Sequence, residues 1–181
     1  MFVNGGYIKL GTKDVPVEAN ATLEALKVIS PFGDAVHAEE AFSISHFWST
    51  VVATSSAELL LHTSATDLWA AVLVTAGADA SVYVMETAVV ATQGTALTAF
   101  NKNRGGANAT SISAYHTPTG AAAGRTLLSG FAPDGVPYGN LAKPTSEGEF
   151  LLAQSSAYLV RVTNLGAAAE PIGIAVIVHE V

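Results

Sequence analysis

The residues able to do chemistry are few and scattered. Five histidines (His37, His46, His62, His116 and His179) occur in the 181 residues, and there is no cysteine. None of the five stands in an HxH or HxxxH pair, the spacings that place two imidazoles on one face of a strand or helix. A metal site would therefore need ligands gathered from distant segments, without thiolates. Cupin-type jelly rolls carry His-x-His and a following Glu on one strand, and that spacing is missing. Gly120-Ala121-Ala122-Ala123-Gly124-Arg125-Thr126 faintly resembles a phosphate loop. It is one residue short between the glycines, has Arg where Lys belongs, and runs into a strand pattern rather than a helix N-terminus. No Gly-x-Ser-x-Gly elbow is present. Glu39-Glu40 and Glu147 with Glu149 bring carboxylates close, as glycoside hydrolysis requires, but they stand at loop ends and read as solvated caps. Trp48 and Trp69 lie on strand-like segments and read as core packing rather than sugar-stacking platforms. Asn20-Ala21-Thr22 and Asn108-Ala109-Thr110 match the glycosylation pattern, which matters only in a secretory pathway. These residues point to no enzyme, no cofactor and no metal centre.

The elements that would position them are strands. From Glu40 onward Phe42, Ile44, His46 and Trp48 alternate with Ser43, Ser45, Phe47 and Ser49, a period of two. Further strand patterns cover 58–63, 68–75, 80–90, 94–100, 111–116 and 125–131. Three more, Glu149–Gln154, Tyr158–Asn164 and Ile172–His179, close the chain. Turn residues separate them, Gly120–Gly124 reads as a flexible link, and 136–147 reads as irregular. Short strands at this spacing, with no sequence repeat, predict an all-β fold, a jelly-roll-like β-sandwich over 41–181.

Residues 1–40 differ. They carry Lys9, Lys13 and Lys27, little apolar periodicity, and a capped stretch from Asn20 to Lys27 that suits a short helix. The segment reads as an N-terminal extended arm that orders against a neighbour. Its apolar contacts would be Phe2, Tyr7, Ile8 and Leu10, with Lys9 and Lys13 for acidic groups.

Composition sets the partners. Half of the residues are hydrophobic and 13% are charged, against about 25% in an average domain. A surface so poor in charge tends to associate. The expectation is a homo-oligomer, a trimer by preference, since closed cyclic symmetry is the usual outcome. The net charge of −7 and the lack of a basic cluster argue against direct nucleic-acid binding. No uninterrupted apolar run is long enough to predict a membrane span. The first residues lack a basic region followed by an apolar core, so no secretory signal is expected.

One set of motifs carries a resemblance. Phe100-Asn101-Lys102-Asn103-Arg104-Gly105-Gly106 is followed by Ala114-Tyr115-His116-Thr117-Pro118, then by Gly124-Arg125-Thr126-Leu127-Leu128. Tyr158-Leu159-Val160-Arg161-Val162-Thr163-Asn164 comes later. Together these resemble small structural proteins of tailed bacteriophages, over residues 45–181. The end, His179-Glu180-Val181, departs from the aromatic-acidic pair of that pattern. The resemblance implies a non-enzymatic virion protein assembled in the host cytoplasm. The expected place is the phage head surface, as a capsid decoration (cement) protein that binds the major capsid protein and bridges shell subunits. A neck, tail or head-fibre component and a carbohydrate- or receptor-binding module are the alternatives. In the loop from Asn101 to Thr110, Asn101, Asn103 and Arg104 are the candidate contacts. Arg104 offers a planar fork, and Asn103 is expected to hold the loop through its own backbone.

Overall fold

The computed structural model describes residues 6–10, 13–20, 25–27, 36, 38–122, 124–134 and 149–180, the first three ranges and residue 149 by backbone alone. The chain divides into two units, Met1–Asp34 and Ala35–Val181. The division falls six residues before the expected end of the arm at residue 40. Within the first unit, β1 (Gly6–Leu10), β2 (Lys13–Asn20) and β3 (Ala25–Lys27) form an antiparallel sheet in that order. The helix expected over Asn20–Lys27 is thus a correction. Asn20 ends β2 and pairs with Ala25, and Glu18 pairs with Lys27. A helix of so few residues is marginal in water, whereas a strand added to an existing pair gains ladder bonds at once.

The second unit is two antiparallel sheets packed face to face. Its strands are β4 (Ala41–Val51), β5 (Ser56–His62), β6 (Leu68–Ala76), β7 (Ala80–Glu86), β8 (Thr95–Leu97), β9 (Phe100–Asn101), β10 (Ser113–His116), β11 (Arg125–Ala132), β12 (Glu149–Leu152), β13 (Ala157–Asn164) and β14 (Glu170–Glu180). One sheet has the order β12-β6-β14-β4-β9 and the other β11-β7-β13-β5-β10-β8. Removing β8, β9 and β10 leaves two four-stranded orders in which successive strands alternate between sheets for most of the chain. That alternation is the jelly-roll topology. The segment between β7 and β11 is then an insertion. It extends the sheets beyond β4 and β5 by adding β9 to one and β10 and β8 to the other.

Period-two patterning explains the interior. Phe42 and Ile44 of β4, Leu59 and Leu61 of β5, Val72 and Val74 of β6, and Val82 and Val84 of β7 point between the sheets and are buried. Val160 and Val162 of β13 and Ile174, Val176 and Val178 of β14 join them. Burying a Val, Leu or Ile stabilises by about 1.5–3 kcal/mol each. Tyr158 is also in this core, and its hydroxyl accepts the Ala153 N–H (2.6 Å) and donates to Glu86 Oε1 (3.2 Å). Buried Asn164 donates to the Val51 and Ala168 carbonyls and accepts from the Gly166 N–H, each at 2.8 Å.

The expected link at Gly120–Gly124 is more ordered than read. Ala122 bridges to Val89 and Thr119 to Thr92, so the two connections pair as a short ribbon. Leu60, Met85, Ala88 and Leu159 form a second buried cluster on the outer side of the six-stranded sheet, with Val90 and Ala121 of the ribbon packed against it. At Gly124 a Cβ would collide with the Glu86 carbonyl oxygen, a close approach only glycine permits. The stretch 136–147, expected to be irregular, lies outside the described residues.

Candidate functional site

Three parts of the sandwich present functional groups: the Asn101–Thr110 loop, the histidines between β4 and β10, and the outer faces of the two sheets.

The loop is lashed down from within. Asn101 Nδ2 donates to the Glu39 carbonyl (3.0 Å) and the Asn108 carbonyl (3.3 Å), and Asn101 Oδ1 accepts the Asn103 N–H (2.8 Å). Asn103 Oδ1 accepts the Gly105 N–H at 3.2 Å, the backbone-holding role expected of it. The Glu39 carboxylate accepts the N–H groups of Ala107 (2.8 Å) and Asn108 (3.2 Å). Glu39 itself has a φ of 65°, a left-handed backbone that these bonds help to hold. At the far end Glu180 Oε1 accepts from Thr110 Oγ1, Ser111 N and Ser111 Oγ at 2.7–2.9 Å. Asn101 and Asn103 are therefore committed to the loop's own frame. Arg104 stands exposed at its apex, without an ion pair among the described residues. Sequence reasoning missed Glu39 and Glu180, whose carboxylates do structural work far along the chain.

His46 and His116 meet where β4 and β10 face each other from opposite sheets. Their rings stack at 3.7 Å with 10° between planes, and the Trp48 ring meets His46 edge-on at 4.5 Å. Thr117 Oγ1 accepts from Trp48 Nε1 (3.3 Å) and lies 3.0 Å from His116 Nδ1. Burial, and then the neighbouring His116, hold the His46 pKa below the usual 6.5. Trp48 packs against the core, as expected. Among the described residues no three His, Asp or Glu side chains come together as a metal site. His37 lies outside them.

The outer face of the five-stranded sheet differs from ordinary solvent-facing sheet. Strand register puts Phe100 beside Ser43, Phe47 beside Gly173, Ala175 between Ser45 and Leu73, Ile177 beside Ala71, and Leu151 beside Trp69. The Phe47 ring reaches to 3.6 Å from the Cβ position of Gly173. Phe47, Phe100 and Leu151 are 63%, 55% and 58% exposed. Across β9, β4, β14 and β6 this face carries no charged residue; its polar members are Ser43, Ser45, Ser49, Thr75 and His179. A groove of about 440 Å³ runs along it past Phe47, Leu73 and Gly173. The signal was present in the sequence. Phe47 occupies the serine parity of β4, and β6 and β14 are apolar on both parities, the mark of strands covered on both faces.

The six-stranded sheet has a polar outer face beside the ribbon. Arg161 is paired through Nε with Glu58 Oε1, and its Nη2 donates to the Ala121 carbonyl at 3.0 Å. Tyr83 stands next to Arg161 across the β7–β13 ladder. Ser56 and Thr163 share a 2.8 Å hydroxyl contact.

Of the arm candidates, Tyr7, Ile8, Lys9 and Leu10 lie on β1, opposite Pro16, Val15, Asp14 and Lys13 in register, so Lys13 is the partner of Leu10. Phe2 lies outside the described residues. Compared with protein families, curated proteins and solved structures, the chain matches none.

Proposed function

We propose that this protein is a non-enzymatic structural subunit of a tailed-phage particle, seated on the head as a decoration protein that bridges capsid subunits. The observation that carries the reading is the outer face of β9, β4, β14 and β6, which carries no charged residue. A chain of net charge −7 repels its own copies. A patch free of acids is where two copies meet without like charges opposed. The long strands β6, β14 and β4, of nine to eleven residues, span about 30–36 Å along their length and about 14 Å across. The product, roughly 400–500 Å², is about half of the ~800 Å² per partner of a stable interface, and contacts beyond this face supply the rest.

A cyclic trimer needs two different patches on each subunit, one docking on the other. The face supplies two apolar margins, Phe47 with Phe100 on the β4–β9 side and Trp69 with Leu151 on the β6–β12 side. An oligomer so built engages several shell subunits at once, and multivalency makes each weak contact effective. The N-terminal unit and the exposed Arg104 are the contacts proposed toward the major capsid protein. The jelly-roll topology and the Asn101–Arg104, His116–Pro118 and Tyr158–Asn164 motifs support the same reading.

A density map of purified particles tests it. The expected result is density for this chain at repeated positions across the head lattice. Copies confined to one ring at the neck or tail assign it there instead, and particles without the chain sink the proposal.

A further inference from the structure

The strongest unassigned feature is the open part of the six-stranded sheet's outer face, opposite the proposed assembly face. A groove of about 580 Å³ lies there, lined from β5, β7, β11 and β13. We propose that this groove binds a neutral saccharide. The inference does not depend on where the protein sits in a particle.

The argument is chemical. The groove has one aromatic ring, Tyr83, 37% exposed on the sheet surface. Directly beside it is the Arg161–Glu58 pair, whose side chains are 26% and 15% exposed. In that pair Glu58 Oε1 and Arg161 Nε satisfy one another, and Arg161 Nη2 serves Ala121. Among the described residues, the second carboxylate oxygen and the remaining guanidinium N–H groups have no partner and are left for a ligand. A sugar's vicinal hydroxyls match this combination, since one donates to the carboxylate while its neighbour accepts from the guanidinium. The apolar C–H face of the pyranose suits the Tyr83 ring. Ser81 adds a hydroxyl, and the Ser56–Thr163 pair, which spends one O–H between its members, keeps one donor and its acceptor lone pairs.

Charge selects among sugars. Glu58 cancels Arg161, and no other lining residue is charged, so the groove has no excess cation for a phosphate, sulfate or uronate. The ordered pair also makes the groove preformed. The ribbon carbonyl of Ala121 fixes the guanidinium, and the β5–β13 ladder places Glu58 opposite Arg161. Little conformational ordering remains to oppose a weak ligand.

The test is two-dimensional NMR of the full chain titrated with neutral hexasaccharides of glucose, mannose, xylose and N-acetylglucosamine, with oligouronates in parallel. The expected result is saturable binding of at least one neutral series with a Kd on the order of 1 mM or tighter. The shifted amides should cluster on β5, β7 and β13. Tyr83→Ala should weaken binding about two- to tenfold, the worth of one aromatic contact, and Tyr83→Phe should largely retain it. Ser56→Arg, which crowds the floor without touching the ring, should also weaken binding. The proposal is overturned if no neutral series binds, if oligouronates bind more tightly, or if the shifts map elsewhere. Equal affinity in the wild type and the folded Tyr83→Ala or Ser56→Arg protein overturns it too.

Discussion

Replacing Ala175 by glutamate sets the assembly face against the fold. Ala175 lies on β14, the central strand of the five-stranded sheet, with Ser45 on one flank and Leu73 on the other. On an isolated subunit the new carboxylate extends into water. Surface substitutions of this kind change stability by about 0.5 kcal/mol or less, with up to about 1 kcal/mol of strand preference added. In an oligomer closed over this face the same carboxylate is buried without a partner, which costs about 3–5 kcal/mol. At 1.4 kcal/mol per factor of ten, association weakens roughly a hundredfold to several thousandfold. Sedimentation velocity over a concentration series reads this directly, with circular dichroism as the check on folding. The wild type is expected to be an oligomer, Ala175→Glu a monomer with an unchanged β spectrum, and Ala175→Val an oligomer. If Ala175→Glu keeps the wild-type mass at every concentration, the face is not the interface. A wild type that is monomeric throughout refutes the reasoning at its root.

Two further outcomes follow from the core and from the histidine pair. Tyr158→Phe removes the acceptor of the Ala153 N–H in a part-buried hydrogen bond, while Glu86 keeps its 2.8 Å pair with Arg125. The cost is about 0.5–1.5 kcal/mol, or a fall in Tm of roughly 1–6 °C for a chain of this size; an unchanged melting curve would show that the hydroxyl is not a structural partner. For His46, the depressed pKa means that the unfolded chain binds the proton more readily. Its contribution is complete above the unfolded value of 6.5 and is lost as pH falls through the lower folded value. Urea midpoints should drop on acidification through this window, and His46→Phe should flatten the drop; an NMR-detected His46 titration at or above 6.5 would contradict the burial argument.

Much of the fold was legible because strand periodicity is a local property. Alternation at Phe42, Ile44, His46 and Trp48 states which side of β4 faces inward whatever it pairs with, and those side chains do turn inward, Phe42 and Ile44 fully buried. The closing strands were equally plain, since Tyr158–Asn164 and Ile172–His179 are bounded by turn residues. The two-sided apolarity of β6 and β14, which underlies the proposed assembly face, is likewise a local property of those segments.

Pairing between distant segments was not legible. Nothing in Glu39 or Glu180 announces that their carboxylates will anchor a loop about seventy residues away in sequence. Glu39 read as a solvated cap and Glu180 as the end of the last strand, because only the closed sandwich brings them to Ala107 and Ser111. The stretch from Asn20 to Lys27 misled for the opposite reason. Its capping residues and alanines suit a helix locally, yet Ala25–Lys27 found β2 to pair with. The polar groove depends on β5, β7 and β13 lying side by side, an order in which Glu58, Tyr83 and Arg161 become neighbours. Local pattern specifies the face on which each of these residues stands. Which residue stands next to it is decided by strand order, and strand order is set by the joint burial of the whole core.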